Sequence, residues 1–133
     1  MNIQLAETII ITDRHKYFPV IDTLCFLSKN LYNSALYEIR QYYFNNKQYL
    51  SYNNLNKQFS NDNNIDYRAL PYTQMSQQVL KQVDKNFISF FKGIKAIKNA
   101  GKHVHIPKYK DKETGRNLIV YTNQCFKYNS KRN

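Results

Sequence analysis

The chain has 133 residues, 42% of them hydrophobic, enough for one domain or two small lobes around a shared core. Twenty Lys and Arg face nine Asp and Glu, giving a net charge of +11 and a pI near 9.7. A charge excess of this size repels itself unless a polyanion relieves it, which points to nucleic acid ahead of an anionic membrane surface or a plain solubility charge. No apolar run approaches the ~20 residues of a membrane span. The first eleven residues also lack the basic start and small-residue cleavage site of a signal peptide.

Residues 4–12 are β-branched towards their end and predict a strand, broken by residues 13–19. From residue 20 to residue 44, Leu24, Leu27, Leu31, Ala35 and Ile39 fall at helical intervals, with Pro19 suited to the first turn. Ser51 is a good N-cap for a short helix carrying Leu55 and Phe59. Residues 60–66 are turn-rich and predict a loop. After Leu70 and Pro71 comes a second long helix with an apolar stripe: Met75, Val79, Val83, Phe87, Phe90, Phe91, Ile94 and Ile97.

The opposite side of that helix carries Lys81, Lys85, Lys92, Lys95 and Lys98 against one acid, Asp84. A one-sided basic ridge gains no i,i+4 ion pairs and reads either as a solvated face or as a phosphate-tracking one. Asn99, Ala100 and Gly101 end the helix. Residues 102–110 and 117–121 then predict strands, with a turn at 111–115 and residues 124–128 available to pair. From residue 100 onward there are eight basic and two acidic residues, so much of the excess charge is carboxy-terminal. The expected architecture is α+β: a small antiparallel sheet interrupted by a helical lobe with two long helices.

No catalytic centre emerges from the residue pattern. His103 and His105 could share one side of a strand, but no Cys or carboxylate nearby in sequence completes a metal set. Cys25 and Cys125 lie a hundred residues apart, match no disulfide or zinc spacing, and are expected as free thiols in a reducing cytoplasm. The nine acids are scattered, and three glycines cannot build a phosphate loop. Basic and aromatic residues instead interleave in Lys108-Tyr109-Lys110 and Phe126-Lys127-Tyr128, where lysines can neutralise phosphates and rings can stack on bases.

An ordered series of segments resembles the amino-terminal part of the TnpB/OrfB family of transposon-encoded RNA-guided nucleases. The series is Leu31-Tyr32-Asn33-Ser34-Ala35-Leu36-Tyr37-Glu38-Ile39-Arg40-Gln41, Tyr49-Leu50-Ser51-Tyr52, Asp66-Tyr67-Arg68-Ala69-Leu70-Pro71, Gln77-Gln78-Val79-Leu80, Asp84-Lys85-Asn86-Phe87, Phe90-Phe91-Lys92, Ile106-Pro107-Lys108-Tyr109-Lys110 and Gly115-Arg116-Asn117. The resemblance implies a wedge-type partial β-barrel interrupted by a helical recognition lobe. Its expected divisions are a first wedge strand in 1–16, the lobe in 17–100 and returning wedge strands in 101–133.

The resemblance also implies guide RNA and double-stranded DNA as partners, with no small-molecule substrate, cofactor or membrane. Motif reading falls to the positions of Tyr52, Thr73 and Gln77, since Gln suits an adenine edge in the major groove. Backbone contacts fall to Lys81, Lys85, Lys108, Lys110 and Arg116. The family's three nuclease acids and zinc cysteines have no counterpart in these residues, so the expectation is a truncated form that binds without cleaving. The alternatives are a stand-alone DNA- or RNA-binding regulator of transposition and a small helix-turn-helix protein.

Overall fold

Periodicity in the apolar side chains decides the helices. The computed structural model describes residues 5–97 and 104–125, and these contain four helices: α1 (Phe18–Asn46), α2 (Tyr52–Asn61), α3 (Ile65–Ala69) and α4 (Thr73–Ile97). A single 3-10 turn, Asn123–Cys125, follows.

Pro19 sits in the first turn of α1, where its missing N–H has no helical partner to lose. Leu31, Tyr32, Ala35, Leu36 and Ile39 of that helix are buried. The helix ends on Lys47, whose left-handed backbone (φ 55°) lets its N–H reach the Tyr43 carbonyl. Ser51 caps α2 by accepting the Asn54 N–H, and Asn64 caps α3 by accepting the Tyr67 N–H at 3.0 Å. Each short helix contributes one or two anchors, Leu55 and Phe59 from α2 and Tyr67 from α3, with the Phe59 and Tyr67 rings meeting edge to face at 6.4 Å. Ser76 of α4, fully buried, donates to the Tyr67 carbonyl at 2.6 Å and ties α4 to α3.

Helix α4 closes the core with Met75, Val79, Leu80, Val83 and Phe87, packed chiefly against α1. Phe90 and Phe91 are partly buried in an aromatic cluster with Tyr43 and Tyr49. The apolar stripe read from the sequence extends further than the core does, because Ile94 is 41% exposed.

The expected α+β architecture is not what the chain forms. The regular elements of the described residues are all helices, with no β-ladder, so neither the antiparallel sheet nor a partial barrel is present among them. Residues 5–12 have no regular structure and lie in solvent; of their backbone only the Thr12 carbonyl is bonded, by the His15 N–H at 3.0 Å, among the described residues. Residues 104–121 likewise pair with no strand; they run along the helices, whose side chains and the Cys25 carbonyl take the place of a neighbouring strand. The Asn33 amide donates to the Lys110 carbonyl and its oxygen accepts the Lys110 N–H, both at 2.9 Å. The Lys29 ammonium donates to the Lys112 carbonyl. The Ser28 hydroxyl donates to the Leu118 carbonyl at 2.7 Å, and the Asn117 N–H donates to the Cys25 carbonyl at 3.1 Å.

A period-two alternation survives in this segment. Asn117 and Ile119 turn inward while Leu118 and Val120 turn outward, so the strand-like pattern is real and only the partner differs. The turn read at 111–115 is present, closed by the Gly115 N–H on the Asp111 carbonyl. A Cβ at Gly115 would come within 2.4 Å of that carbonyl oxygen, which fixes glycine there. The pairing expected of residues 124–128 is replaced at its start by the 3-10 turn, and residues 126–128 lie outside the described residues. So do the helix end at 99–101, together with Lys98 and His103.

Candidate nucleic-acid interface

Thr73, Gln77, Lys81 and Lys85 fall at successive four-residue steps along α4 and so form one stripe of its surface. Both lysines are exposed, and neither has a carboxylate partner among the described residues. The one acid on the helix is drawn elsewhere: the Tyr49 hydroxyl donates to the Asp84 carboxylate. Burial, and then that carboxylate, push the Tyr49 hydroxyl pKa well above its ordinary value of 10.0. From α2, the Tyr52 ring comes beneath the Lys81 ammonium, 5.5 Å from it.

Lys81 and Lys85 also line a groove of about 240 Å³ between α4 and the returning segment. Gln78 and Gln82 line it from α4, and Leu118 and Val120 form its far wall. The Gln82 side-chain Oε1 accepts from the Asn117 side-chain amide at 3.0 Å. Asn117 is buried and also donates to the Ser28 hydroxyl at 3.0 Å, so one side chain spans from α1 to α4 and fixes the groove's width.

No family model, curated protein or solved structure matches this chain.

The structure brings Tyr52, Thr73, Gln77, Lys81 and Lys85 to one region and sets the other three predicted contact residues apart from it. Lys108 is exposed at the head of the segment lying on α1. Lys110 is held by both bonds to Asn33, with its ammonium 5.0 Å over the Tyr32 ring. Arg116 forms a two-pronged ion pair with Asp22, at 2.8 and 3.2 Å, and lies 5.1 Å over the Phe26 ring. The guanidinium holds the Asp22 carboxyl below the usual carboxylate range, while Asp22 raises the Arg116 pKa in return. Arg116 thus fastens the returning segment to the first turns of α1.

Several residues of this region were not singled out by sequence reasoning. Gln78 and Gln82 carried a usable signal, since they sit four apart beside the lysines. Lys29 carried none: it is buried, 3.8 Å over the Phe26 ring, and burial lowers its pKa. Cys25 is partly buried and free, and burial raises its thiol pKa, which disfavours the reactive thiolate. Cys125 is free and buried. His105 is exposed, and among the described residues no group of three or more His, Cys, Asp and Glu converges. No described helix is long and apolar enough to cross a membrane.

Proposed function

We propose that this chain binds nucleic acid through the α4 groove, as the RNA- and DNA-holding part of a TnpB/OrfB-type protein, and does so without cleaving it. The observation that carries the reading is the pair Lys81 and Lys85. They stand exposed one turn apart, about 6 Å along the helix axis, while Tyr49 engages the only acid of that helix. Two unopposed ammonium groups at that spacing suit neighbouring phosphates of one strand. Each phosphate neutralised releases counterions and makes the affinity salt-dependent. The glutamines between and beside the lysines supply donors and acceptors for base edges or sugars. The ordered sequence resemblance supports guide RNA and duplex DNA as the partners and the cytoplasm as the setting.

The test is fluorescence anisotropy with duplex DNA and with structured RNA, at salt from about 50 to about 200 mM. Binding is expected to weaken steeply across that range. Replacing Lys81 and Lys85 together by alanine should lower the slope of log affinity against log salt by about two. Absent binding, or a slope near zero, would overturn the reading.

A further inference from the structure

A second surface, on the α1 side of the molecule, presents rings and cations that the α4 groove does not use. The Arg40 guanidinium carbon lies 5.9 Å from the Phe44 ring centroid and 5.1 Å from that of Tyr109. One planar cation is thus flanked by two aromatic rings. Even with the guanidinium against them, Phe44 is 48% and Tyr109 44% exposed. Lys108, exposed, adjoins Tyr109 in sequence.

Resting on the reading that this chain binds nucleic acid, we infer that Phe44, Arg40 and Tyr109 form a stacking platform for unpaired bases of a single strand, with Lys108 meeting its phosphates. Three observations carry this. First, the backbone that carries each ring is held in place although the rings are exposed. Phe44 belongs to α1, and the residue after Tyr109 has both backbone groups bonded to Asn33. A platform fixed in advance loses little conformational freedom on binding.

Second, the guanidinium polarises both rings, and each of the two residues still keeps nearly half of its surface in water. Third, the nearest acids in sequence are turned to internal donors: Glu38 accepts from the Gln58 amide, and Asp111 accepts the N–H groups of Glu113 and Thr114. The occupant is single-stranded because a duplex keeps its base faces inside its own stack, whereas unpaired bases offer a face to any exposed ring.

The experiment uses the full chain and a short single strand carrying the fluorescent base 2-aminopurine, made as DNA and as RNA, beside an unlabelled duplex of the same sequence. Stacking on the platform should quench the fluorescent base on binding. Tyr109→Leu and Phe44→Leu should each weaken single-strand affinity roughly tenfold and restore the fluorescence. Tyr109→Phe should retain both affinity and quenching, and duplex affinity should be unaltered in all three variants. Quenching with either sugar supports the inference, and the tighter of the two names the source of the strand. Absence of quenching with both, or single-strand affinity indifferent to both leucine substitutions, overturns it, even where Lys81- and Lys85-dependent duplex binding persists. Conversely, ring-dependent quenching without salt-sensitive duplex binding leaves the platform standing and removes the α4 groove.

Discussion

Residues 5–12 and residues 117–121 have much the same local character, outside any helix and rich in β-branched and apolar side chains, and they end in opposite circumstances. In the first, Leu5, Ile9 and Ile10 are between 74% and 93% exposed, and among the described residues only the Thr12 carbonyl is bonded, by the nearby His15 N–H. The second is fastened at its Asn117 N–H, its Asn117 side chain and its Leu118 carbonyl by Cys25, Ser28 and Gln82. Extended backbone needs donors and acceptors beside it, and these need not come from another strand. A helix face bearing Ser28 and Asn33 serves instead. Where no such face lies alongside, as over residues 5–11, the backbone is left to water among the described residues.

The largest break in that comparison should come from Asn117→Ala. It removes one buried and one part-buried side-chain bond and leaves the Gln82 side-chain oxygen without its donor, so a loss of about 2 kcal/mol in urea unfolding is expected. A loss confined to a few tenths would show that the Ser28–Asn117–Gln82 link holds nothing.

Asn33→Ala should act less, by about 1 kcal/mol, because the Lys110 backbone groups it releases lie near the surface and can turn to water. Its sharper signature is local. Hydrogen exchange at the Lys110 amide should accelerate while the Leu118 region stays protected.

Replacing Ile9 and Ile10 together by threonine should do least, changing stability by no more than about 0.5 kcal/mol. A markedly greater loss in the same urea measurement would mean that the amino-terminal segment is covered in solution, which would dissolve the contrast.

The helices were legible because their evidence is repeated. Leu31, Ala35 and Ile39 in α1, and Met75, Val79, Val83 and Phe87 in α4, mark one face several times over, and all are buried. The cap at Ser51 was equally legible, since a hydroxyl beside a periodic stretch has a short-range purpose. Lys81 and Lys85 followed from the same spacing, whereas Thr73 and Gln77 were implied only by the family resemblance and prove to lie on the same four-residue stripe. The approach of Tyr52 to Lys81 and the diversion of Asp84 to Tyr49 depend on how α2 and the α1–α2 connection meet α4, which no local pattern encodes. Lys108, Lys110 and Arg116 shared the charge of the other candidates but not their location, because net charge carries no address.

By itself the sequence determined the long helices, their apolar faces, the Ser51 cap, the turn closed at Gly115 and the excess of positive charge. All of these rest on interactions between residues a few positions apart or on bare composition. Only the tertiary structure decided what the extended segments would lie against. A strand's alternation fixes which side chains turn inward but leaves open whether strand, helix or water answers its backbone. For residues 104–121 the answer came from α1, some eighty positions earlier in the chain, and that choice made the groove beside Lys81 and Lys85 and set Tyr109 against Arg40.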